Sequence, residues 1–141
     1  MKKMHSLLTF VAVAFFSACT NAGAASDLPE IRDKQWTLVA LVGESSVPTG
    51  EQAPWVRFGS DDKLSANTGC NSASGDYTLS GDQLKVGMLI STKRACVDRD
   101  RNEVEGQFMG ALSAARRVRV VNGELELLGD DGRFVARFRS S

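Results

Sequence analysis

The strongest constraint in this sequence lies near its C-terminus, where short alternating segments are separated by residues that reverse the chain. Val118 to Val121 and Glu124 to Leu128 are joined by Asn122-Gly123. Both central positions of a type I′ turn need φ > 0, which Asn and Gly tolerate, so this dipeptide predicts a two-residue antiparallel hairpin. Asp131-Gly132 then turns the chain into Phe134 to Phe138. Earlier in the chain, Trp36, Leu38, Ala40 and Val42 repeat with the period of two that places one strand face on a core. Trp55 to Gly59 and Lys63 to Asn67 flank Ser60-Asp61-Asp62, while Gly75 to Leu79 and Gln83 to Val86 flank Ser80-Gly81-Asp82. Each arrangement predicts another hairpin.

One segment departs from this pattern. Between Asn102 and Ala115, the apolar residues Val104, Phe108, Ala111, Leu112 and Ala115 recur at helical spacing. Asp100 followed by Glu103 resembles a capping box, and Gly106 and Gly110 lower the intrinsic propensity. The helix at about 102–115 therefore depends on packing its apolar stripe against the sheet. With 141 residues, 43% of them hydrophobic, and no repeat, the chain holds one domain. The expected fold is mainly β: a small antiparallel β-barrel-like domain with one covering α-helix.

The N-terminus has the pattern of an export signal. Lys2 and Lys3 precede an apolar run from Leu7 to Phe16, which is too short to span a bilayer. Two processing sites compete. Phe16-Ser17-Ala18-Cys19 resembles a bacterial lipobox, which would make 1–18 a lipoprotein signal and Cys19 the lipid attachment residue. Alternatively, Ala22-Gly23-Ala24 would end a secretory signal at 1–24 and discard Cys19. In the lipoprotein reading, residues 19–34 form a tether and 35–139 the folded domain. Thr20 follows the lipidated cysteine in place of the Asp associated with inner-membrane retention. That places the expected anchor in the outer membrane, facing the periplasm; soluble periplasmic or secreted protein is the alternative.

Three cysteines are an odd number for an exported chain. If Cys19 takes lipid, Cys70 and Cys96 remain, and in an oxidising compartment a disulfide between them is the expectation. They form no C-x-x-C unit, so a redox-active pair is the weaker reading.

Lys and Arg together number 17, as do Asp and Glu, which argues against a nucleic-acid partner. Removal of Met1 to Ala18 leaves 15 basic against 17 acidic residues and also removes His5, the only histidine. A mature chain without imidazole lacks the usual triad base and metal ligand, so no catalytic residues, metal site or cofactor are expected. Ser91-Thr92-Lys93-Arg94-Ala95-Cys96 is the densest polar cluster, yet Arg94 stands where an S-x-x-K dyad needs lysine. It reads as a loop with its hydroxyls on backbone groups, as do Gly69-Cys70-Asn71, with Gly69 permitting a close turn. Asp61-Asp62 and Asp130-Asp131 lack the ladder of a calcium loop and read as solvated turns. Glu103 and Glu105 lie two apart on the helix and do not share a face. All nine basic residues after Lys93 are arginines. Arg117, Arg119, Arg137 and Arg139 alternate with apolar residues, and in neighbouring strands they would line one face. Such a face suits an anionic envelope component or an acidic protein, or is a solvated surface balanced by Glu124 and Glu126.

Taken together, several segments resemble META-domain proteins of the HslJ type, a family of small bacterial envelope proteins. The matching residues are Trp36-Thr37-Leu38, Gly69-Cys70-Asn71 with Gly75 and Tyr77, Leu79 through Gly81 to Leu84, and Ser91 to Cys96. The helix with Glu105, Phe108 and Leu112, and the strands from Val118 to Phe138, complete the resemblance. Lys93-Arg94 and Val97-Asp98 depart from the family pattern. The resemblance implies a compact β-barrel-like domain with one helix, a role in stress tolerance or binding, and no catalytic residues; it also supports Cys70 and Cys96 as structural partners. The expected function is thus a non-enzymatic, membrane-anchored module that binds an envelope protein or anionic component. The alternatives are an inhibitor that presents Asn71 to Tyr77 as a loop to a lytic enzyme, and a histidine-free enzyme.

Overall fold

The computed structural model describes residues 31–141. The signal at 1–18 or 1–24, Cys19 and the tether up to residue 30 lie outside the described residues. Packing begins before the first strand. Ile31 is fully buried, and its carbonyl accepts the Trp36 indole N–H at 2.9 Å. Arg32 forms a parallel bridge with Phe58. Residues 31–34, read from sequence as tether, therefore belong to the packed domain; the polar residues around Ile31 hid a single apolar anchor.

Among the described residues nine strands, one α-helix and a short 3-10 helix (Gly50–Gln52) follow: β1 (Gln35–Leu41), β2 (Trp55–Phe58), β3 (Lys63–Asn67), β4 (Ser72–Ser80), β5 (Gln83–Val86), β6 (Ile90–Ser91), α1 (Arg99–Ala114), β7 (Arg117–Val121), β8 (Glu124–Leu128) and β9 (Phe134–Ser140). The strands form one antiparallel sheet in the order β3-β2-β1-β9-β8-β7-β5-β4-β6, and β4 also pairs with β3, so the sheet closes into a ring. This is the mainly β fold with one helix that the alternation and turn chemistry predict. The Asn122-Gly123 turn has φ of 53° and 79°, as its type requires.

Closure is thinnest between β5 and β7. Their register has the single pair Gln83 with Arg117, flanked by hydrogen bonds from Leu84 N–H to Arg116 C=O and from Val118 N–H to Asp82 C=O. β5 and β6 both run against β4, interrupted by Gly87-Met88-Leu89. At this interruption the Met88 carbonyl comes so near Gly75 that a Cβ there would lie 2.6 Å from it, which explains a glycine inside a long strand.

Strand β1 departs from simple alternation. Trp36, Leu38 and Leu41 are buried, whereas Val42 is 52% exposed. The pairing of β1 with β9 shifts register between Leu38 and Ala40, and this irregularity turns Leu41 inward in place of Ala40 and Val42. A one-residue shift reverses which face each later side chain occupies.

Helix α1 begins three residues before the expected start at 102. Its N-cap is Asp98, in extended conformation, whose side chain accepts the Asp100 N–H at 3.0 Å. Asp98 fills the role expected of Asp100 because it satisfies one of the free N–H groups of the first turn. Val104, Phe108, Ala111 and Leu112 are buried on the face packed against β9 and β1. Phe108 and Phe138 meet with ring centroids 6.1 Å apart, and Phe58 meets Tyr77 edge-on at 5.1 Å. Both contacts lie within the core.

Candidate functional site

The β3–β4 connection, Thr68-Gly69-Cys70-Asn71, is a tight turn. Thr68 N–H donates to the Asn71 carbonyl at 2.8 Å, and Asn71 N–H donates to Thr68 Oγ1 at 2.9 Å. Gly69 sits at φ +90°, and a Cβ there would lie 2.6 Å from the Gln52 carbonyl oxygen. Only glycine meets both demands without strain.

The turn aims Cys70 and Asn71 at the segment between β6 and α1. Cys70 and Cys96 form a disulfide, with Cα atoms 5.9 Å apart and a sequence separation of 26. Asn71 is 4% exposed and joins three parts of the chain. Its Oδ1 accepts from Thr92 Oγ1 and from Arg94 N–H, both at 2.8 Å. Its Nδ2 donates to the Arg94 carbonyl at 3.2 Å and to both Glu105 oxygens at 2.9 and 3.1 Å. Thr92 Oγ1 in turn accepts from Ser72 N–H at 3.1 Å. The hydroxyl of Thr92 thus serves the backbone as the sequence indicates, whereas Asn71 reaches a distant segment and the helix instead of its own turn.

Glu105, which the sequence marks only as a helix residue matching the family, stands at the disulfide. Its Oε2 lies 3.4 Å from Cys96 Sγ, and ligand atoms of Cys70, Cys96 and Glu105 all fall within 4.8 Å of one another, at intermediate exposure. The available signal was the position of Glu105 nine residues after Cys96, on the helix that the loop enters.

The four arginines of the C-terminal strands divide. Register places Glu126 opposite both Arg119 and Arg137, and Glu124 opposite Arg139. Glu126 accepts from Arg119 Nε at 2.6 Å and from Arg137 Nε at 3.0 Å; Glu124 accepts from Arg139 at 3.1 Å. Arg137 also stacks over Phe134, 5.4 Å from the ring centre. Burial works to raise the Glu126 pKa, but the hydrogen bonds from Arg119 and Arg137 outweigh it and hold the carboxyl below its ordinary range. Arg117 lies opposite Leu128 and has no ion-pair partner among the described residues.

The segment Asn71 to Tyr77, expected as a presented loop, is instead mostly strand: β4 starts at Ser72, and Tyr77 is 1% exposed, its hydroxyl donating to the Gly59 carbonyl at 2.6 Å. Alternation of small residues from Ser72 to Gly75 disguised a strand flanked on both sides. Two acidic turns close on themselves, Asp61 and Asp131 accepting the N–H groups of Lys63 and Arg133, whereas Asp62 reaches across to pair with Arg32 at 3.0 Å. An open cleft of about 630 Å³ lies between Gly43 to Gln52 and the start of α1, lined by Glu44, Asp98, Asp100, Arg101 and Glu103.

The META domain family matches residues 29–141. Among solved structures, an NMR structure of a protein from Burkholderia xenovorans is similar at a TM-score of 0.66 and 21% identity, over 99% of this chain and 98% of that one. A second NMR structure gives a TM-score of 0.62 at 21% identity, over 78% of this chain and 92% of that one. A DUF4847 family protein from Bacteroides vulgatus gives 0.56 at 14% identity, over 77% and 93%. These likenesses establish a shared fold. No curated protein matches the sequence.

Proposed function

The chain belongs to the META domain family, and from that premise we propose that it is an exported binding module of the bacterial envelope, anchored by lipid on Cys19 and without catalytic activity. The observation that carries this reading is the Cys70–Cys96 disulfide together with Asn71. A structural disulfide belongs in an oxidising compartment. It agrees with the apolar run and lipobox-like Phe16 to Cys19. The polar side chains gathered around it, Thr92, Asn71 and Glu105, hold the loop in place through their hydrogen bonds. The face of β7, β8 and β9 is the binding surface in this reading, with Arg117 contributing a charge that forms no ion pair among the described residues.

Two experiments test it. Mass spectrometry of the native N-terminus is expected to show a lipid-modified Cys19, and Cys19→Ser to abolish membrane association; an unmodified chain starting near Ala25 refutes the anchor. The purified domain, incubated with envelope extracts, is expected to retain a partner without turning over a panel of envelope substrates. Turnover would overturn the binding reading. Retention of a lytic enzyme with loss of that enzyme's activity would replace it with inhibition, exerted by a surface other than Asn71 to Tyr77.

A further inference from the structure

We propose that, when the disulfide is reduced, Cys70, Cys96 and Glu105 bind a zinc-class divalent cation. The three residues come from the β3–β4 turn, the loop before α1, and the second turn of α1, and a Glu105 carboxylate oxygen lies within 4.8 Å of both sulfurs, which the disulfide joins to each other. Tetrahedral zinc with Zn–S of about 2.3 Å and Zn–O of about 2.1 Å places a carboxylate oxygen about 3.6 Å from a thiolate sulfur. Glu105 Oε2 stands 3.4 Å from Cys96 Sγ. The same geometry sets the two sulfurs about 3.8 Å apart, a separation that side-chain rotation allows from Cα atoms 5.9 Å apart.

Charge favours the same conclusion. Glu105 has no ion-pair partner among the described residues, and the hydrogen bonds to its oxygens come only from Asn71 Nδ2. Reduction therefore places two ionisable thiols against a carboxylate that no cation balances. Two thiolates with a carboxylate are a donor set that zinc accepts. Asn71 would then act as an orienting neighbour, fixing the Glu105 carboxylate through the hydrogen bonds from its Nδ2 to both oxygens. All three ligands are partly exposed, so an ion can enter and water can complete the coordination. The chemistry balances as follows. A phosphine reductant converts the disulfide to two thiols, becoming phosphine oxide with oxygen from water. Binding of the cation then releases the two thiol protons.

The experiment uses the chain with the disulfide intact and after reduction by a phosphine. Cobalt(II) and zinc(II) are the probes. The reduced protein is expected to bind one cobalt per chain, with thiolate-to-cobalt charge-transfer absorption in the near ultraviolet, and zinc is expected to displace it. The oxidised protein is expected to show neither. Glu105→Gln keeps the cysteines and is expected to weaken zinc binding at least tenfold in a chelator competition, while Cys70→Ser abolishes the charge-transfer band. If the reduced chain loses its fold without metal, recovery of its circular dichroism on adding zinc supports the site. Absence of binding by the reduced chain, equal binding by the oxidised chain, or unchanged affinity in Glu105→Gln overturns it.

Discussion

Replacement of Asn71 by Leu isolates the polar half of the clasp while leaving the disulfide in place. Asn71 accepts two hydrogen bonds, from Thr92 and Arg94, and donates to the Arg94 carbonyl and the Glu105 carboxylate. Neutral hydrogen bonds contribute about 1 kcal/mol net, and one to a charged group about 1.5–3 kcal/mol, for a gross loss near 5 kcal/mol. The freed loop around Lys93 and Arg94 is exposed and rehydrates, and the leucine buries apolar surface, so the net cost is about 3 kcal/mol. A domain of about 110 residues unfolds with an entropy near 0.23 kcal/mol/K, so the melting temperature falls by about 13 °C. Thermal melts of the oxidised protein, followed by circular dichroism, measure this fall. A companion variant, Cys70→Ser with Cys96→Ser, removes a crosslink of sequence separation 26, worth about 3.5 kcal/mol by chain entropy. Because both devices hold one loop, the combined variant is expected to lose about 1 kcal/mol less than the two losses added together. A fall under about 4 °C for Asn71→Leu, or strict additivity, would refute the idea of a shared clasp.

Two further outcomes follow from the strands and the turn. Because Glu126 has its pKa lowered in the folded state, its contribution is present above the ordinary carboxylate range and is lost as pH falls through the depressed folded value. Glu126→Gln is therefore expected to cost about 1–2 kcal/mol at neutral pH, discounted because Arg119 and Arg137 are half exposed, and to flatten the acid side of a stability-pH profile; an unchanged profile contradicts the pairing. Gly69→Ala is expected to cost about 1–3 kcal/mol in urea unfolding, since its Cβ meets Gln52 at a φ reserved for glycine; a neutral result would show that the turn adapts.

What could be read from sequence follows from the range of each interaction. Asn122-Gly123 and the alternation around it are local, and so β7, β8 and the turn between them were legible. The helix stripe from Val104 to Leu112 is equally local, but its start at Arg99 depends on Asp98, which the more familiar spacing of Asp100 and Glu103 outcompeted as a signal. The irregularity between Leu38 and Ala40 is set by pairing with β9, about a hundred residues away, so the inward turn of Leu41 had no local mark. Ile31 was hidden for a similar reason: its burial depends on Trp36 and the bridge to Phe58, not on a pattern of its own. At the site, the cysteine count pointed to the Cys70–Cys96 pair, whereas Glu105 becomes a neighbour only once the helix docks.

The same distinction changes how the arginine-rich face must work. Alternation along β7 and β9 puts four guanidinium groups on one face with Glu124 and Glu126 in the strand between them, and sheet register decides the pairing: Glu126 lies between Arg119 and Arg137, and Glu124 beside Arg139. Glu126 is buried, and the hydrogen bonds of these two arginines offset its desolvation. An anion that drew Arg119 and Arg137 away would leave that carboxylate buried and unpaired, at a cost of several kcal/mol. Most of the ladder is therefore committed to stability. Arg117, opposite Leu128 and beside the thin β5–β7 seam, can engage a partner without that cost. A ligand that recognises this face by charge must do so at Arg117 first, and Arg117→Ala separates recognition from folding in a way that the other three substitutions do not.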